Sequence, residues 1–314
     1  MTEIARLLPT NTLYLFCKSY SGDLKRIRKL IESINQFNYD QIPFYLSVPQ
    51  EDMPIFQDLL NKYSNKYHLI SDEEIILSNN AVNLEHYKNL PGQLSQQVVK
   101  SEFWRYLEKM ELPCNAYLCI DSESIFLRAF RVEDFMTKGG IPYTVIHQNK
   151  ELIQVAENKK IFKVFESHQR DSALIKSKFV REGPNYAFGP TPVVWSPDVW
   201  RALDEKFLQP KKITLWELIQ EFPHELSWYG EALLNYRTIP LLPIEPLMRV
   251  YHYSWQYYFL RKSGESEETI KKSYLGILKQ SNWYFEDDHG KQKKRKNILS
   301  KLIRNLKRYL SYYR

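Results

Sequence analysis

Apolar positions along the chain fall into two rhythms. Residues 13–17 (LYLFC) form a short run of strand formers, and a polar turn over 18–23 follows. Leu24, Ile27, Leu30, Ile31, Ile34 and Phe37 then recur at the spacing of an amphipathic helix, with Asp23 placed to cap its start. Residues 43–48 (PFYLSV) read as a second strand, 52–63 as a helix and 68–71 as a short strand. Strand, helix, strand, helix, strand predicts a parallel sheet with crossover helices.

The pattern is less regular over 72–91, which reads as loop. Residues 93–110 predict a long helix with Leu94, Val98, Phe103, Tyr106 and Leu107 near one face, closed by Pro113. An apolar strand over 117–120 runs straight into Asp121-Ser122-Glu123, and a second apolar run, 125–127, follows at once. Residues 141–147 read as a strand and 151–180 as helical. The Gly- and Pro-rich stretch 182–194 reads as loop or edge. Ser196 as N-cap with Pro197 in the first turn opens another helix. Helices are expected over 213–221, 224–237 and 266–280. Residues 239–244 are apolar but broken by Pro240 and Pro243, and 250–258 are densely aromatic. The expected fold is α/β, a mostly parallel sheet flanked by helices, in one domain over residues 1–285 with a tail at 286–314.

Composition changes this picture in three places. Aromatic residues make up 14% of the 314, with 22 Tyr and 7 Trp, which suits stacking on sugars or bases but suits a filled core better. Trp195 and Trp228 are therefore read first as core. The three cysteines, Cys17, Cys114 and Cys119, match no zinc spacing and are expected as buried, reduced thiols of a cytoplasmic protein. No run of 18 apolar residues and no secretory signal is evident, so no membrane-spanning helix is expected. The net charge of +7 resides in the tail. Residues 291–314 hold ten Lys or Arg and no acid, leaving 34 basic and 37 acidic residues elsewhere. A body with that balance argues against nucleic-acid binding.

The chemistry centres on Asp121 and Glu123. In an open parallel sheet, ligands bind beyond the carboxyl ends of the strands. Residues i and i+2 of an extended segment point to one side, so both carboxylates can reach one hard cation. Mg²⁺ and Mn²⁺ take such oxygen ligands and bridge them to a diphosphate. A solvated turn between two strands is the plainer alternative.

The triplet resembles the DxD motif of GT-A glycosyltransferases, with Glu123 in place of the second Asp. The chain to about residue 285 also resembles the DUF6492 group of bacterial surface-polysaccharide glycosyltransferases. The matching features are the turn with Ser19, Tyr20 and Asp23, the helix with Gln96, Gln97, Lys100, Trp104 and Arg105, the acid motif, Glu225-x-x-x-Tyr229-Gly230, and the late segment around His252. The resemblance implies a GT-A-like fold that binds a nucleotide-sugar donor. It places Ser19, Tyr20 and Asp23 at base and ribose, and Asp121 and Glu123 on Mn²⁺ or Mg²⁺ with His252 as a possible third ligand. Lys100 and Arg105 are cations in position to meet the donor diphosphate, or else a solvated helix face. An inverting transfer needs a general base. Glu225 is the first choice, Glu231 the second and Asp198 a third that also suits a helix's first turn.

The tail carries Ile298, Leu299, Leu302, Ile303, Leu306, Tyr309, Leu310 and Tyr313 as one helical stripe among Lys and Arg. A cationic amphipathic helix of this kind suits the cytoplasmic membrane surface, although packing on the body or on another subunit would use the same stripe. The expected activity is sugar transfer to a glycan or lipid-linked glycan acceptor. A degenerate nucleotide-binding scaffold, or a nucleotidyl- or phosphotransferase, are the alternatives.

Overall fold

In a computed structural model, residues 12–63, 67–81, 83–148, 150, 162–252, 254–280, 302, 303 and 306 are described. The central sheet holds β1 (Leu13–Lys18), β2 (Phe44–Val48), β3 (Tyr67–Ser71), β4 (Ala116–Asp121) and β7 (Val193–Trp195) in the order β3-β2-β1-β4-β7. The first four are parallel and β7 runs antiparallel to β4. The expected α/β fold with a mostly parallel sheet is the one observed. Strand order reverses beside β1, so a topological switch point lies between β1 and β4.

Alternation in the strands divides the core into two layers. Leu13, Leu15 and Cys17 of β1 and Leu118 and Ile120 of β4 face α1 (Leu24–Phe37), whose Ile27, Leu30, Ile31 and Ile34 complete that layer. Tyr14, Phe16, Tyr117 and Cys119 face the other side, where α5 (Gly92–Lys109) lies. The aromatic excess is concentrated in this second layer. Phe16 stacks on Phe103 at 3.9 Å between centroids, and Tyr117 meets Trp195 edge-on at 5.9 Å. Trp195 and Trp228 are fully buried, as core packing requires. Cys17 and Cys119 are buried free thiols and Cys114 is half-buried.

Several expected elements change. Residues 72–91 hold two short helices, Asp72–Ile76 under a Ser71–Glu74 capping box and Leu84–Lys88 capped by Asn83. The predicted helix over 266–280 is instead a short helix, Glu267–Ile270, followed by β10 (Gly276–Lys279). β10 pairs with β5 (Ser124–Phe126) and with β9 (Met248–Tyr251), so its apolar run faces the core from a strand. The strand expected over 141–147 shrinks to β6 (Thr144–Val145), paired with β8 (Pro243–Ile244). The stretch 182–194 ends in β7, an edge strand. The helix after it, Pro197–Leu203, has Ser196 as its cap, as expected. Most of the tail lies outside the described residues. Leu302, Ile303 and Leu306 are helical and exposed. Among the described residues no helix is long and apolar enough to cross a membrane.

Candidate functional site

An open cleft of about 1230 Å³ lies over the carboxyl ends of β1, β2, β3 and β4, above the switch point. It gathers residues from six separate segments. Ser19, Tyr20 and Asp23 follow β1, Asp121 ends β4 and Glu123 comes just after it, Lys100 rises from α5, and Glu225 opens the helix Glu225–Tyr236. Register explains the meeting of the first two groups, because Lys18 is paired with Asp121 in the β1–β4 ladder.

The floor of the cleft is a set of neutralised charge pairs. Lys100 Nζ donates to Asp121 Oδ1 at 2.5 Å and stands 3.9 Å from Glu225. Thr191 Oγ1 donates to Asp121 Oδ2. Burial alone would raise the Asp121 pKa, but the Lys100 charge and these two hydrogen bonds hold it below the usual carboxylate value. Burial works against the Lys100 ammonium too, yet Asp121 and Glu225 keep it firmly protonated. At Glu225 burial wins over Lys100, and nearby Asp121 adds to it, so this carboxyl is pushed up.

Toward β3, Asp72 is a buried carboxylate accepting from Lys18, Ser47 and Tyr87. Lys18 Nζ also donates to the main-chain oxygen of Ser19 at 2.8 Å, fixing the start of the turn. Asp23 sits at the N-cap position of α1 but makes no cap hydrogen bond there. Its carboxylate instead accepts from Arg26 at 2.5 Å and from Ser122 Oγ at 2.7 Å. The expected cap is thus a brace between the first turn and the acid motif.

The Glu225-x-x-x-Tyr229-Gly230 segment divides its work. Glu225 faces the cleft. The Tyr229 hydroxyl accepts from the Ser196 N–H at 2.8 Å. A Cβ at position 230 would overlap the Phe188 ring, so glycine lets the loop that carries Thr191 pack against this helix.

Four expected site residues lie elsewhere. Glu231 is buried in a two-bond clamp with Arg181, at 2.5 and 2.8 Å, and does not line the cleft. Asp198 pairs with Arg201 at 2.7 Å beside a second, opposite cleft. Arg105 is paired with Glu102 at 2.9 Å and Asp204 at 2.5 Å. His252 follows β9, is not among the residues that line the cleft, and its N–H donates to Gln256 Oε1 at 2.9 Å. Thr191 was not foreseen. Its only sequence signal is the Gly189-Pro190-Thr191-Pro192 run, which reads as a turn.

Among the described residues, no three His, Cys, Asp or Glu side chains converge where an ion would sit. Asp121 and Glu123 line the cleft together. Two carboxylates do not make a closed protein cage, but they fit a site that substrate phosphate and water complete.

Among solved structures the chain is similar to mouse xyloside xylosyltransferase 1 in its apo form. Identity is 9% and the TM-score is 0.44, over 86% of this chain and 98% of that one. At that distance the likeness bears on neither substrate nor mechanism. No curated protein sequence matches the chain. A family model, described as a family of unknown function, matches residues 1–290. The chain therefore belongs to the DUF6492 family.

Proposed function

We propose that the protein is a divalent-metal-dependent glycosyltransferase of GT-A type. It passes a sugar from a nucleotide-sugar to a glycan or lipid-linked glycan of a surface polysaccharide, such as capsule or O-antigen. The observation that carries this reading is the charge balance of the cleft. Among the described residues, seven carboxylates and four cationic side chains line it. Lys18, Arg26 and Lys100 are already matched by Asp72, Asp23 and Asp121, and the remaining cation, Lys88, is exposed and 3.5 Å from the exposed Glu85. An entering diphosphate therefore needs a further cation. Asp121 and Glu123 are the oxygen ligands that would hold Mg²⁺ or Mn²⁺ there. When bound, the ion would neutralise charge on the diphosphate leaving group.

The chain's own groups supply the rest. Tyr20 is half-exposed at the cleft mouth, where its ring can stack on a base. The Asp23–Ser122 hydrogen bond holds the nucleotide turn and the acid motif in one frame. Glu225, with its raised pKa, would accept the acceptor's hydroxyl proton in an inverting transfer. A basic amphipathic tail would bring the enzyme to the inner face of the cell membrane, where lipid-linked acceptors reside.

The test is a thermal-shift screen of wild type and Asp121→Ala against nucleotides and nucleotide-sugars, with and without Mn²⁺. A metal-dependent rise with one nucleotide, absent in the variant, is expected. No rise with any nucleotide would sink the reading and favour a scaffold role in a polysaccharide-assembly complex. A product that retains phosphorus would identify a nucleotidyl- or phosphotransferase.

A further inference from the structure

We propose that Thr191 is a positioning residue of the metal site: its hydroxyl fixes the Asp121 carboxylate in the orientation that a divalent cation in the cleft would meet. This rests on the metal-dependent reading above and adds to it the residue that sets the acid's orientation.

Strand register brings the two together. β7 runs antiparallel to β4, with Tyr117 opposite Trp195, Leu118 opposite Val194 and Cys119 opposite Val193. Carried two positions further, the same register sets Asp121 opposite Thr191. Directly opposed residues of an antiparallel pair hold their side chains on one face, within reach of each other. Tyr117, Cys119, Val193 and Trp195 face the α5 layer, so Asp121 and Thr191 fall on that face too. Lys100 descends from the same layer, which is why both donors meet one carboxylate.

Thr191 is 5% exposed, and the loop that carries it is anchored at several points. Ala187 and His147 exchange two main-chain hydrogen bonds, at 2.8 and 3.0 Å, and the His147 ring bonds to the main-chain oxygen of Gly189. Phe188 lies against Gly230, where a Cβ would overlap its ring. The hydroxyl is thus presented from a fixed frame.

The chemistry of the contact suits an orienting role. The terminal torsion of an aspartate is soft, so a single donor on one oxygen lets the group turn. Asp121 has a donor on each oxygen, Lys100 on Oδ1 at 2.5 Å and Thr191 on Oδ2. The ammonium also repels a second cation, whereas the hydroxyl orients the group without adding charge. Two donors do not exhaust a carboxylate, which has about four acceptor sites. The Asp121 side chain is still 28% exposed where it lines the cleft. Groups that hydrogen-bond a metal-binding carboxylate typically account for about 10–100-fold in metal affinity.

The experiment uses the full chain and isothermal titration of Mn²⁺ in the presence of UDP, GDP, ADP or CDP, each in turn, against a reference titration into nucleotide alone. Thr191→Val, nearly isosteric, should weaken Mn²⁺ binding at least about tenfold. Thr191→Ser, which keeps the hydroxyl, should bind Mn²⁺ as wild type does. Nucleotide binding in the presence of a chelator should be unchanged in both. Thr191→Ala covers the case in which Thr191→Val does not fold and should show the same selective loss. Equal or tighter Mn²⁺ binding without the hydroxyl would overturn the inference and leave the glycosyltransferase reading standing. So would Thr191→Ser binding as weakly as Thr191→Val, or a matching loss of nucleotide binding in chelator, which would mark general damage to the site. A wild type that binds Mn²⁺ with none of the four nucleotides would remove both.

Discussion

Lys100 reaches Asp121 from a different layer of the fold: the ammonium leaves α5 above the sheet and meets the carboxylate at the end of β4, 2.5 Å away. Neither side chain is placed by its neighbours in sequence. Removing the lysine leaves a partly buried, unpaired carboxylate. Lys100→Met is expected to destabilise the fold by about 3–5 kcal/mol, and adding Asp121→Asn should restore a good part of that loss. Urea denaturation of the two single variants and the double variant measures the coupling.

Glu225 should behave in the opposite sense. Its folded pKa lies above the unfolded value, because burial disfavours the anion. The native state thus binds its proton more tightly. The group weakens the fold as pH rises through and above the ordinary Glu range of about 4–5. Glu225→Gln is therefore expected to raise the melting temperature at pH 7, with little change near pH 4, while abolishing transfer if Glu225 is the base. A melting temperature at pH 7 below that of wild type would refute this account.

Asp121 has the reverse sign. Its folded pKa is lowered, so its contribution is present above the unfolded value near 4 and is lost as pH falls through the folded one. Acid unfolding of Asp121→Asn should be shallower than that of wild type below about pH 4. Melting temperatures between pH 2 and 6 decide it.

Glu231 gives the clearest separation of stability from function. Arg181 grips both of its oxygens, and Glu231 is 2% exposed. Arg181→Met leaves a buried unpaired charge and should cost about 3–5 kcal/mol. Nucleotide-induced thermal shifts should survive, because neither residue lines the cleft. Loss of the nucleotide shift in a folded Arg181→Met protein would contradict this.

These pairs show what was legible in the sequence. The parallel sheet was, because LYLFC, PFYLSV and YLCI are uninterrupted runs with a helical repeat after the first. The meeting of Ser19, Asp23, Asp121 and Glu225 was also readable, since each follows a strand or opens a helix beside the switch point. Glu225 and Glu231 could not be ranked by environment, because the Arg181 that occupies Glu231 lies fifty positions away. Thr191 was invisible for a similar reason: Gly-Pro-Thr-Pro spells a turn and says nothing of the acid seventy residues earlier that it touches. β10 was misread because its apolar run is only four residues long, and periodicity over so few positions cannot separate strand from helix.

The buried pairs also constrain descent. Lys18 ends β1 and Asp72 opens the helix that follows β3, both almost out of reach of water. A lineage that lost one partner first would pass through an uncompensated buried charge, at a penalty comparable to much of a domain's net stability. Lys18–Asp72 and Arg181–Glu231 should therefore persist or vanish as units among relatives of this chain, and intermediates carrying half of either pair should be rare.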